Sequence, residues 1–143
     1  MNGKSGHVAR LLEPFQNREL PANYLAYFDC FHRQLFYEAH DVLEALWLPM
    51  RKEPEGNFFK GLIQLAGAFV HVQKNRNGPA QALLRLAAKN LTRYGSRHRR
   101  LDLQTTRTLI QDWNARLNAP QGAISRLLEE FPPRLDLIVE SGD

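Results

Sequence analysis

YEAHDVLEALWL, running from Tyr37 to Leu48, is the stretch from which the fold of this chain can be read. At about 100° per residue, Leu35, Ala39, Val42, Leu43 and Leu46 fall on one side of a helix, which must bury that side against a partner. His40, Glu44 and Trp47 follow one another at i, i+4 and i+7 along one edge of this apolar stripe. A His-x-x-x-Glu pair on one face can be an ion pair, a carboxylate orienting an imidazole for proton transfer, or two ligands of a metal. The spacing does not choose among them. Taken alone, the segment reads most simply as a helix-stabilising pair beside a core tryptophan.

The partner is the segment Phe58 to Lys74, FFKGLIQLAGAFVHVQK. It is apolar almost all the way round, as expected of a helix in the middle of a bundle. Its single polar stripe is Lys60, Gln64 and His71, with Gly67 and Ala68 between them. Small residues let a neighbouring helix approach closely, and buried polar groups require partners. His40 and Glu44 on the preceding helix are those expected partners.

The remaining chain fits the same plan. Residues 1–20, broken by Gly3, Gly6 and Pro14, read as an arm with at most one short turn at Val8 to Leu12. Pro21 suits the first turn of a helix that continues to about His32 through Leu25, Phe28 and Phe31. Pro49 stops the next helix near Leu48, and MRKEPEGN is a polar loop. Pro79 opens a further helix with Ala82, Leu83, Leu86, Ala87 and Leu91 expected inside and Arg85, Lys89 and Arg93 outside. A basic loop, GSRHRR, leads to Asp102 as N-cap of a helix over Leu103 to Leu117, on which Leu103, Leu109, Ile110, Trp113 and Leu117 are apolar. A short helix is expected at Ala123 to Glu130. No segment carries strand-type alternation strong enough to build a sheet, and no internal repeat is visible. The fold class is therefore all-α, one domain of about five helices with a buried central helix. Its parts are an arm over 1–20, a core over 21–118 and a tail over 119–143.

A chain of 143 residues is long enough to bury its own core without staples. Cys30 is its one cysteine, so neither an intrachain disulfide nor a thiolate cluster can form, which suits a reducing compartment. With neither a signal-peptide core nor a run of about 20 apolar residues, the expected location is the cytoplasm, with no membrane partner. The net charge is +4, but between Glu55 and Asp102 nine Lys or Arg occur and no acidic residue. Arg85, Lys89 and Arg93, with Arg97, Arg99 and Arg100 beyond them, form a candidate phosphate or nucleic-acid footprint. Only Tyr94 is near enough to stack a base, so a solvated helix face is the better reading and nucleic acid is not the expected partner.

FYEAHDVLEALWLP, FFKGLIQLAGAFVH and the following N-x-x-G-P-A-x-x-L-L together resemble the DUF309 family of small helical bacterial and archaeal proteins, over about residues 24–117. The signature is E-A-H-x-x-x-E-x-x-W followed by G-L-I-Q-L-A…H. Here it supplies Glu38, His40, Glu44 and Trp47, then Gly61, Gln64 and His71. The resemblance implies a compact all-helical fold and, beyond that, only a suggestion of metal-dependent hydrolysis.

Two arrangements of these residues are open. In one, His40, Glu44, Gln64 and His71 form a satisfied network that fixes the register of two helices. In the other they line a cleft closed by Trp47 and Phe59, with Glu38, Asp41 and Lys60 at its margin. In that case His40, Glu44 and His71 are candidate acid, base or metal ligands, because two His and one carboxylate is a known hydrolytic zinc set. Against a metal, no helix has the Glu-x-x-His or His-Glu-x-x-His spacing. The cofactor is thus unassigned, with a divalent metal as the candidate, and the ligand is an unidentified small molecule or none. A non-catalytic assembly module, compatible with a homo-oligomer, competes with both; Trp113 and the LDLIVE tail are then its contacts, or else simply core.

Overall fold

The computed structural model describes residues 3–120 and 122–139, and for residues 3–5 the backbone alone. Among these residues the order is α1 (Gly3–Leu12), α2 (Ala22–His32), α3 (Phe36–Trp47), α4 (Gly56–Gln73), α5 (Asn77–Leu91), β1 (Arg97–His98), β2 (Leu101–Asp102), α6 (Leu103–Asn118) and α7 (Leu127–Glu130). The fold is all-α, as the periodicity predicts. α4 is sandwiched between α3 and α5, α2 backs α3, and α6 packs on α5.

α4 is central because it has little else to offer: Phe58, Phe59, Leu62, Leu65, Ala66, Ala68, Phe69 and Val72 are all fully buried. Two of its glycines are required by close approach. A Cβ on Gly56 would stand 2.3 Å from the Arg51 carbonyl oxygen, and one on Gly61 would stand 2.9 Å from Leu91 Cγ. The second contact draws α5 against α4. On α3, Ala39, Val42 and Leu43 are buried as expected, and so are Phe36 and Asp41. The buried tyrosines of α2 find acceptors: Tyr27 Oη donates to the Leu62 carbonyl at 2.6 Å and Tyr24 Oη to the Arg99 carbonyl at 2.9 Å.

Helix ends are closed by side chains and by two left-handed residues. Gln34 (φ 58) ends α2 and Asn75 (φ 58) ends α4, where the Arg76 N–H returns to the His71 carbonyl at 2.8 Å. Both are tied to the C-terminal segment: Gln34 Nε2 donates to the Leu128 carbonyl, and Asn75 Oδ1 accepts from the Ser125 N–H. Asp102 caps α6 as expected, its Oδ1 accepting from the N–H groups of Gln104 and Thr105.

Three expectations need correction. Residues 1–20 contain a ten-residue helix, not a single turn, and Val8, Leu11, Leu12 and Phe15 pack on the core. Three glycine and proline breaks obscured that short amphipathic pattern. α5 begins at Asn77, with Pro79 inside its first turn, and buries Ala80, Leu84, Ala87 and Leu91; Leu86 is 45% exposed. The apolar residues of α5 come in runs of three, Ala82–Leu84 and Leu86–Ala88, and the choice within each run sets the phase. Finally, GSRHRR supplies the first strand and the turn of the β1–β2 hairpin, with Arg99 (φ 48) and Arg100 (φ 64) at the turn, where Asn-Gly would be usual. The C-terminal segment joins this hairpin through a Leu101–Leu137 bridge and an N–H from Ile138 to the Arg100 carbonyl. Trp113 and Leu135 are buried in the core, as one of the two readings of these residues has it, while Val139 of the same tail is exposed. Among the described residues no helix is long and apolar enough to cross a membrane.

Candidate functional site

A cleft of about 260 Å³ opens between α3, α4 and α5. It is lined by Tyr37 and His40 from α3, by Ile63, Gln64, Gly67, Val70 and His71 from α4, and by Leu83 from α5. Spacing explains the convergence. Gln64, Gly67 and His71 recur at i, i+3 and i+7 on α4, so one face carries both polar groups with a gap between them. His40 stands opposite on α3, and the exposed Tyr37 ring lies near-parallel to the His40 ring, centroids 6.3 Å apart.

Of the sequence-predicted residues, His40, Gln64 and His71 therefore share a cleft; Glu38, Asp41, Glu44, Trp47 and Lys60 do not line it. Asp41 and Glu44 act on His40 from behind. His40 Nδ1 lies 3.2 Å from Asp41 Oδ1, and His40 Nε2 lies 3.8 Å from Glu44 Oε2. Lys60 is exposed. Glu38 acts on Cys30 instead. Burial, then the charge of Asp29 with a smaller push from Glu38, raises that buried thiol to about 11 against the pull of Arg33.

Among the described residues, the first of the two open arrangements, a closed network of His40, Glu44, Gln64 and His71, is not seen. Gln64 Oε1 accepts from Asn90 Nδ2 on α5 at 2.7 Å, and His71 Nδ1, like Trp47 Nε1, is buried with no hydrogen-bond partner among the described residues. Nor do Trp47 and Phe59 close the cleft. Phe59 is fully buried beneath the Arg99 guanidinium, 5.0 Å from the ring centroid, and the cleft walls are Ile63, Val70 and Leu83 instead. Among the described residues no three His, Cys, Asp or Glu side chains form a group able to hold a metal ion. His40, Glu44 and His71 do not fit as a ligand set.

Desolvation holds His71 below the ordinary imidazole value, and the charges of Arg76 and Lys74 push the same way. Protonating Nδ1 would also leave a buried N–H unpaired. Folding thus favours the neutral ring. Its stabilising contribution is present above the ordinary value of 6.5 and is lost as pH falls through the lower folded value. In an NMR titration of the histidine ring protons, His71 should titrate with a midpoint below 6.5; a midpoint at or above that value would contradict this placement.

A second polar cluster has no counterpart among the sequence motifs. The Glu55 carboxylate, just before α4, meets His98 Nε2 at 2.9 Å and accepts from Arg99 Nε. His98 packs edge-on to Phe58, and Tyr94 Oη donates to the Pro54 carbonyl at 2.8 Å. Arg100 pairs with Glu19 at 2.9 Å. Arg99 and Arg100 are thus engaged within the fold. Of the basic footprint, Arg85, Lys89 and Arg93 stay exposed on α5 and just beyond it. A signal for the cluster did exist, since Glu55 is the last acidic residue before nine cations.

A model of the family described as a domain of unknown function, DUF309, matches residues 24–83, from α2 into α5. The match supports the resemblance to DUF309 that the sequence motifs carry. The match ends at Leu83, short of the residue 117 suggested by the sequence motifs, and all eight cleft-lining residues lie inside it. His98 and Arg99 lie outside the DUF309 match. No curated protein and no solved structure matched the chain.

Proposed function

We propose that the cleft of the DUF309-like segment binds a small molecule with a mainly apolar body. One observation carries this reading: His40, Gln64 and His71, from two helices, open together onto a single cleft whose other walls are Tyr37, Ile63, Gly67, Val70 and Leu83. Few polar groups set in an apolar wall is the usual composition of a ligand site. At about 260 Å³ the cleft lies just below the usual range for drug-sized ligands, so a single ring with a short substituent is the fitting size. Among the described residues the wall contains no Lys, Arg, Asp or Glu, which favours an uncharged ligand.

Catalysis is a second reading with its own support. His40 has a carboxylate near each ring nitrogen, Asp41 on one side and Glu44 on the other, an arrangement suited to holding and passing a proton. Ligand binding is common to both readings and is tested first. Protein-observed NMR with single-ring fragments should shift the backbone amides of His40, Gln64, Gly67 and His71 together. Gly67→Leu places a side chain in the cleft, where even a Cβ comes within 3.3 Å of Leu83 Cδ1, and should weaken binding about tenfold or more. Unshifted cleft amides, or equal binding by the filled variant, would overturn the proposal.

A further inference from the structure

We infer that Gln64 is the hydrogen-bond donor that selects the ligand, and that the ligand is a small neutral molecule presenting a carbonyl-type acceptor oxygen beside an apolar ring. This rests on the cleft being a ligand site. A glutamine amide offers an acceptor oxygen and a donor nitrogen at its tip, and which of them faces a site is decided by what the other engages. Here Gln64 Oε1 is engaged: Asn90 Nδ2 donates to it at 2.7 Å. The Nε2 hydrogens are left for the cleft. Asn90 is well placed to impose this orientation, because a Cβ on Gly61 would meet Asn90 Cβ at 3.3 Å, so the missing side chain brings Asn90 close to α4. Asn90 lies outside the cleft wall and acts through Gln64 as a positioning residue.

The other polar group that α4 gives the wall agrees with a neutral acceptor. Burial and the charges of Arg76 and Lys74 favour the neutral form of His71. Among the described residues, an anion would find no Lys or Arg in the wall, and a cation no carboxylate. A ligand bearing only a donor would meet the Nε2 hydrogens head-on.

The test uses the full chain and two probes of the same shape: acetophenone, and α-methylstyrene, which has a CH₂ group in place of the carbonyl oxygen. NMR titrations should give acetophenone about tenfold tighter binding, the worth of one typical hydrogen bond. In Gln64→Leu the preference should fall below about twofold, with α-methylstyrene binding retained. Asn90→Asp replaces a group that can donate with a carboxylate that can only accept, so the Gln64 amide turns to donate to it and presents its oxygen to the cleft. The acetophenone preference should be lost there too, in a variant that keeps every cleft-lining side chain. Equal affinities in the unaltered chain, or a preference that survives either substitution, would overturn the donor assignment while leaving the cleft a ligand site. Failure of both probes to shift the cleft amides would overturn the assignment together with the reading beneath it.

Discussion

Phe69→Ala should lower the unfolding free energy by about 3 to 5 kcal/mol, the upper end of what truncating one buried side chain costs. Phe69 is fully buried on α4, near-parallel to Phe36 of α3 at 5.2 Å between centroids. It is also edge-on to Phe31 of α2 at 5.6 Å and to Trp113 of α6 at 5.0 Å. One ring therefore touches three helices besides its own. Removing it forfeits the transfer energy of a large side chain and leaves a cavity that its rigid aromatic walls cannot collapse to fill. Chemical denaturation monitored by far-ultraviolet circular dichroism would measure it. A loss below about 1 kcal/mol would mean that α4 is not the centre of the fold.

Glu55→Ala should cost about 1 to 2 kcal/mol, less than a fully buried charge network because each member keeps about a quarter of its surface in water. The carboxylate joins the loop before α4 to the hairpin turn, where Arg99 and Arg100 occupy left-handed backbone that only strong anchoring sustains. Desolvation pushes the Glu55 carboxyl upward, but hydrogen bonds from Arg99 and His98 and their charges together outweigh it, and the net shift is downward. A lowered folded value means that the contribution is fully present above the ordinary carboxylate value of 4.5 and disappears as pH falls through the folded value. The gap in stability between the unaltered chain and Glu55→Ala should therefore be constant near neutrality and narrow below pH 4.5. A gap that widens on acidification would contradict the pairing.

The helical fold was legible because its strongest signals were local: the α3 stripe, the unbroken apolar run of α4 and the Asp102 cap each follow from spacing and residue type. The site was only half legible. Helical phase put His40 on one edge of α3 and Gln64 with His71 on one face of α4, and those faces do meet. Phase says nothing about which atom each side chain engages. Asn90 took the Gln64 oxygen from α5, a helix whose own inward face the sequence misassigned at Leu86. Trp47 lies on the helical edge expected for it but outside the cleft wall. The Glu55–His98–Arg99 cluster was hidden for a different reason. Its members are 43 and 44 residues apart and meet through a hairpin whose Arg-Arg turn carries no turn chemistry. The basic run in which two of them lie reads as a surface patch until its partner is seen.

The role of the cleft is tested most directly by a crystal structure of the chain grown with acetophenone. The ring of the probe should lie against Ile63, Val70 and Leu83, with its oxygen within hydrogen-bonding distance of Gln64 Nε2. A probe bound only elsewhere, or a cleft filled by neighbouring side chains with the probe shut out, would show that the cleft is not a ligand site.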